Sequence, residues 1–311
     1  MRHSAGTWTA ALAVAALALS GCAGHQRKTS QYDLALYLQS QGKSDEALQA
    51  MQNSVALDPD DPTPREALAQ MLFDRGWRAK ALQEWEQALA TSSDDPSFFA
   101  VEGKPMRSPA WIADGIQAHK RCVAALIKVY LAQGDEAAKG ARWPDAAVNY
   151  KRVTELDTDS APAWAGWATA ARKSGDNDAA YAAYRRCFDL LPKDPDIAKF
   201  YGMAAHVQGK LNEAENGFRR YTVLKPDDAK GYNNEGTVLA EMGRFDESQA
   251  SFDKALQIET NMIQALNGKG TAYYYQKRYD EARKMWNKVL ELAPDDPTAT
   301  ENMRTLVKMG L

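Results

Sequence analysis

The 311-residue sequence is poor in the residues that most often perform chemistry. It has 3 cysteines and 4 histidines, and the histidines, His3, His25, His119 and His206, are scattered along the chain. His119 and His206 fall in different repeats, which argues against a metal site. Glycine-rich phosphate loops, GxSxG elbows and HExxH pairs are also missing. No enzyme, cofactor or metal is therefore expected. Lysine and arginine number 38 against 41 aspartate and glutamate, so the chain has no general attraction to nucleic acid or anionic headgroups. The apolar run Ala10 to Leu19 is ten residues long, too short to span a bilayer, which takes about 20. What remains, 45% apolar and 25% charged, is the composition of a folded chain.

At the N-terminus, Arg2 and His3 precede the apolar run, and small residues follow it. That order is the order of a secretory signal. Leu19-Ser20-Gly21-Cys22 resembles the lipobox of bacterial lipoproteins, and the resemblance implies removal of residues 1–21 and acylation of Cys22 as the first working residue. Ala23, standing where some lipoproteins carry aspartate, resembles the outer-membrane class. The expected location is the bacterial cell envelope, lipid-anchored at the outer membrane and facing the periplasm. Residues 22–27 are then a short tether; from Cys22 to Gln31 the chain reaches at most about 35 Å fully extended.

The rest of the chain repeats itself. Gly202 to Pro226, Gly236 to Thr260 and Gly270 to Pro294 align without gaps at a spacing of 34 residues. In the last unit the landmarks are Gly270, Tyr273, Ala282, Trp286, Val289 and Pro294. One period upstream of the first stand Trp164, Trp167, Ala168, Ala171, Gly175, Ala180, Tyr184, Cys187 and Pro192, and before them Tyr130, Gly134, Ala137, Ala146, Tyr150 and Val153. Two further units carry Leu68, Ala69, Leu72, Gly76, Ala81, Trp85 and Ala88, and Leu34, Ala35, Leu38, Gly42, Ala47 and Pro59. Small residues let two antiparallel helices approach, and the large residue fills the gap to the next unit. One unit cannot bury both faces, so the units must stack. The period and its landmarks resemble the tetratricopeptide repeat, which implies an all-α, right-handed solenoid of about seven helix-turn-helix repeats.

The expected organisation is a signal peptide (1–21), the tether (22–27), two repeats (28–95), an irregular insertion with a helix extension (96–126), five repeats (127–296) and a capping helix (297–311). Asp61-Pro62, Asp95-Pro96, Asp194-Pro195 and Asp296-Pro297 each place a capping carboxylate before a first-turn proline. In the capping helix Ala299, Met303, Leu306 and Val307 form one apolar stripe. The insertion holds Phe98, Phe99 and Trp111 and shows no helical stripe until Ser108-Pro109. Two readings stand open for it, a partner-docking loop and a plain cover for the joint between repeats. Residues 28–95 carry 6 basic and 12 acidic residues, whereas 96–311 carry 30 and 29. Cys122 and Cys187 are expected in helices that do not face each other, and a disulfide needs Cα atoms within about 7 Å; two reduced, partly buried thiols follow.

Binding residues are expected on the first helix of each repeat. Its second, fifth, ninth and twelfth places share one face, and tetratricopeptide arrays bind peptides or partner helices in the groove those helices line. The face reads Pro162, Ala165, Thr169 and Arg172; Asp196, Lys199, Met203 and His206; Lys230, Asn233, Thr237 and Ala240; Gln264, Asn267, Thr271 and Tyr274. Amides, hydroxyls and a few cations suit an extended peptide backbone with an occasional carboxylate. The carboxylate clamp of chaperone-binding relatives is incomplete. Lys199 and Asn234 match two of its places, but Met203, Gln264 and Gly268 occupy others. The expected function is an envelope adaptor for protein partners, nearest to repeat lipoproteins of pilus and secretion assembly. Alternatives are an adaptor for peptidoglycan-remodelling enzymes, a polysaccharide-export scaffold, or a small-ligand or glycan carrier using Tyr273, Tyr274 and Tyr275.

Overall fold

The computed structural model describes residues 24–99 and 108–310; the signal segment and Cys22 lie outside them. Among the described residues there are fifteen α-helices and no strand. The chain divides into two units, one ending at Tyr130 and the other beginning at Leu131.

In the first unit α1 (Gly24–Ser40) packs on α2 (Ser44–Leu57), and α3 (Pro62–Asp74) on α4 (Arg78–Ala90). Because α1 is already helical at Gly24, most of the segment expected to be a tether is helix. Each of its residues rises about 1.5 Å, less than half the extended reach. Asp61 caps α3, its carboxylate accepting from the Thr63 amide at 3.0 Å, with Pro62 in the first helical position. Asp95-Pro96 carries the same signature but opens only the 3-10 turn Pro96–Phe99. Asp95 does accept from the Ser97 amide at 2.8 Å, yet no apolar stripe follows it in the sequence to carry a longer helix. The helix restarts at α5 (Pro109–Lys139), where the Trp111 amide donates to Ser108 Oγ at 3.2 Å. Phe98 is exposed and Trp111 half-buried. His119 has a local partner, its Nδ1 lying 3.1 Å from Ser92 Oγ.

The second unit holds the end of α5 and α6 (Trp143–Leu156), α7 (Ala161–Ser174), α8 (Asn177–Leu190), α9 (Pro195–Val207), α10 (Leu211–Leu224), α11 (Ala229–Glu241), α12 (Phe245–Ile258), α13 (Ile263–Tyr275), α14 (Tyr279–Leu292) and α15 (Pro297–Lys308). From α6 onward each helix packs against its successor. The periodic landmarks meet as ring on glycine. A Cβ on Gly134 would sit 2.8 Å from the Tyr150 ring, on Gly202 2.9 Å from Phe218, on Gly236 2.9 Å from Phe252, and on Gly270 2.5 Å from Trp286. The same ring then presses on the next repeat, Tyr150 on Gly166 and Phe252 on Gly268. Each large side chain thus closes its own helix pair and the following joint, and Phe252 and Trp286 are almost fully buried. The turns inside the repeats need a left-handed residue. Gly175, Gly209 and Gly243 supply it with φ of 81°, 68° and 76°, whereas Ala141 and Lys277 take the same place at 54° and 62°, a conformation that costs an L-residue about 1–2 kcal/mol.

Asp194 and Asp296 cap α9 and α15 through the Ile197 and Ala299 amides at 3.1 and 2.7 Å. In α15 Ala299 and Leu306 are buried, but Val307 is 70% exposed, which corrects the expected stripe. Eight residues at about 100° each place it roughly 80° around the helix from Ala299, beyond the contact with α14. Cys122 and Cys187 are free thiols and fully buried, not partly so. Burial pushes both up to about 12, leaving them protonated and unreactive.

One joint is held by a carboxylate. Glu213 on α10 accepts from the hydroxyls of Tyr201 on α9 and Tyr181 on α8, the latter at 2.8 Å. The Tyr201 bond, with Tyr181 and nearby cations, holds its carboxyl below the ordinary glutamate value. A lowered folded value contributes stability that is present above the unfolded value of about 4.3 and is lost as pH falls through the folded one. Glu213→Gln should therefore melt lower than the parent at pH 7, and the gap should close on acidification toward pH 3. Paired thermal melts across that range check the prediction.

Candidate functional site: the groove face of α7, α9, α11 and α13

The four groove helices present their second, fifth, ninth and twelfth residues as half-buried or exposed side chains, whereas the packing residues between them are closed. On α7 and α9 the face is cationic. The Arg172 guanidinium lies 4.3 Å from the centre of the Phe200 ring, and Lys199 Nζ lies 4.7 Å from the same ring. Two cations from successive repeats thus share one aromatic ring. Arg172 Nε donates to the Tyr184 hydroxyl at 3.2 Å, and Lys199 pairs with the exposed carboxylate of Asp196 at 2.7 Å. Thr169 is half-buried on α7 about one turn before Arg172, and Met203 is exposed. His206 Nε2 reaches Glu241 of the next repeat at 2.8 Å, so it ties α9 to α11.

Further along, the face is rich in acceptors, with Lys230 as its cation. Asn233 and Asn267 occupy the same place in consecutive repeats, and the side-chain oxygen of each is buried with no hydrogen-bond partner. The Asn267 amide does have one, donating to Asp296 Oδ1 at 3.1 Å. Thr237 and Thr271 turn their hydroxyls back on their own helices, to the carbonyls of Asn233 and Asn267 at 2.9 and 3.0 Å. Their protons are spent within the fold. Lys230 and Gln264 are exposed. Tyr274 is drawn into packing, with its ring against Tyr279 and Trp286 and its hydroxyl near Met309 Sδ at 3.6 Å.

Beside this face is a cavity of about 580 Å³ walled by α11, α12, α13 and the start of α15, with Ala240, Phe245, Phe252, Gly268 and Tyr275 among its lining. The aromatic wall differs from the one expected. Of the three consecutive tyrosines only Tyr275 lines the cavity, stacked on Phe245 at 5.8 Å and 11°, while Tyr273 and Tyr274 pack against the core around Trp286. Gly268 stands where the repeat two periods upstream carries Phe200, and the Phe252 ring occupies the direction its side chain would take. Among the described residues no group of three or more His, Cys, Asp or Glu could hold a metal ion, and no helix is long and apolar enough to cross a membrane.

Comparisons with known proteins give the class first. Residues 227–295 match one tetratricopeptide-repeat family model, and residues 32–96 and 165–229 match another. The chain carries tetratricopeptide repeats in both of its units. Among solved structures it is similar to YrrB, described as a TPR protein with an unusual peptide-binding site, at 19% identity and a TM-score of 0.53 over 56% of this chain and 90% of that one. It is also similar to MamA, at 22% identity and a TM-score of 0.49 over 54% of this chain and 92% of that one. These likenesses are of fold alone. Comparison with curated proteins gives no match.

Proposed function

We propose that this protein is a lipid-anchored adaptor of the cell envelope that gathers other proteins by binding extended peptide segments along the groove of α7, α9, α11 and α13, in the assembly of a pilus or secretion apparatus. The observation that carries the peptide reading is the pair of buried, unpartnered carboxamide oxygens on Asn233 and Asn267. An acceptor buried without a donor costs free energy. Two of them at repeat spacing are complemented by backbone N–H groups of a bound strand. Arg172 and Lys199 add a place for an acidic side chain.

The triple variant Lys199→Ala, Asn233→Ala, Asn267→Ala tests the reading. Asn233→Ala removes an unsatisfied oxygen, so the cost to folding falls mainly on the lost Asn267–Asp296 bond, about 0.5–1.5 kcal/mol. Each bond lost to a bound peptide costs a similar amount, and together they should weaken a partner's affinity at least about tenfold. Affinity of envelope partners for the two proteins, measured beside thermal melts, decides. Unchanged affinity would move the working surface to the acidic first two repeats or to the segment around Phe98 and Trp111.

The location is proposed from Leu19-Ser20-Gly21-Cys22 and the apolar run before it. Cys22→Ala should abolish incorporation of labelled fatty acid and processing at this site while the repeats still fold. Label retained by the variant would refute the anchor.

A further inference from the structure

The proposal above gives the groove a backbone ligand; the cavity beside it gives that ligand a sequence. Its floor and walls are apolar: Phe252, Phe245, Tyr275 and Ala240. Gly268 is part of its lining and stands at the place where, in an earlier repeat, Phe200 lies against Tyr184, 5.7 Å between ring centres. At about 580 Å³ it lies within the usual range of ligand pockets and has ample room for an aromatic side chain. Tyr275 is 63% exposed, so the stacked Phe245–Tyr275 pair leaves ring surface open to an incoming group.

Glu241 and Asn267 bring acceptors to the cavity. Glu241 lines it and is half-exposed, with His206 at 2.8 Å as its partner. Asn267 lines it with its buried, unpartnered oxygen and holds Asp296 through its amide. No lysine or arginine is among the lining residues. Of the cations on the groove face, Lys230 is exposed at the start of α11, outside the cavity lining, and Arg172 and Lys199 lie on α7 and α9. The cavity lining thus holds a carboxylate and no cation, whereas Arg172 and Lys199 stand together on α7 and α9.

Resting on the peptide-groove reading, we infer that this cavity receives an aromatic side chain from an extended segment of a partner protein, with a lysine or arginine beside it in the partner's sequence. The aromatic ring fills the space against Phe245 and Tyr275. The backbone N–H of that segment donates to Asn267 Oδ1, and the neighbouring cation pairs with Glu241. An acidic residue further along the same segment meets Arg172 and Lys199.

A random 12-residue phage-displayed library panned on the full chain tests this, with selected peptides remade and labelled for binding measurements. Selected sequences should share Trp, Phe or Tyr next to Lys or Arg. Ala240→Phe fills the cavity from the α11 side, and Thr298→Trp, at an exposed rim position, covers it without touching the core. Each should weaken the selected peptides at least tenfold, and Glu241→Gln at least threefold with a smaller salt dependence. If affinity is kept by both cavity variants but lost by the Lys199, Asn233, Asn267 triple variant, the groove reading stands and the cavity proposal is overturned. Affinity unchanged in all of them, or a library that yields no binder, overturns both. Equal binding after the peptide's basic residue is changed to glutamate overturns the charge assignment. Free tryptophanamide binding as tightly as the peptide overturns a protein segment in favour of a small-ligand carrier.

Discussion

Trp286→Ala is expected to cost about 3–5 kcal/mol, enough to unfold the C-terminal repeats of a marginally stable array. The ring is 1% exposed and sits at the centre of a cluster with Leu266, Ala282, Val289, Ala299 and Leu306. It touches both its own helix pair and the capping helix, so the loss propagates to α15. Its indole nitrogen is buried without a partner, and relief of that burial keeps the cost toward the lower end. Gly270 makes the mechanism separable from a generic cavity effect. In the parent, Gly270→Ala drives a Cβ to 2.5 Å from the indole and should destabilise. In the Trp286→Ala background the same change meets open space and gains helix propensity, about 1 kcal/mol. Denaturant melts of the four proteins should show this change of sign; equal effects in both backgrounds would mean that ring and glycine are not packed together.

Gly217→Ala should reverse an ordinary rule. In an exposed helix interior the exchange stabilises by about 1 kcal/mol, but Gly217 of α10 faces the backbone of α9. An added Cβ would lie 2.6 Å from Gly202 N and 2.7 Å from its Cα, with the Ala198 carbonyl at 3.0 Å. None of these atoms belongs to a flexible side chain. The helices must separate, and Phe218, which is 2% exposed, loses its seat on Gly202. A net loss of about 1–3 kcal/mol is expected. A midpoint equal to or above the parent's would show that α9 and α10 are not as close as this packing requires.

The fold was legible because a 34-residue period forces the same contacts again and again. Gly202, Gly236 and Gly270 faced Phe218, Phe252 and Trp286 by arithmetic alone, and Asp61, Asp194 and Asp296 announced their helices by the proline that follows. The period failed where there was no neighbour to enforce it. Asp95-Pro96 had a cap but no apolar face behind it, and Val307 stood at the edge of the last stripe with no further repeat to cover it. The groove was legible in position but not in chemistry. Thr237 and Thr271 lie where a ligand would pass, yet whether a hydroxyl turns outward or back to its own carbonyl depends on the local helix. Tyr274 lies at a groove place and is taken up by Trp286 and Tyr279 because the last repeat must close its own end. Most hidden was the cavity, whose lining is drawn from α11, α12, α13 and α15 and so leaves no mark in the pattern of any one repeat.

The central claim, that the face of α7, α9, α11 and α13 is the working surface, is tested most directly by position-resolved photocrosslinking in the native host. Benzoylphenylalanine would replace Met203 and Gln264, both exposed on the groove face, and in separate strains Asn216 and Val223, both exposed on α10. The account predicts protein adducts from Met203 and Gln264, each mapping to a contiguous segment of the same partner, and none from the α10 positions. Adducts formed from Asn216 and Val223 while Met203 and Gln264 stay uncrosslinked would contradict it.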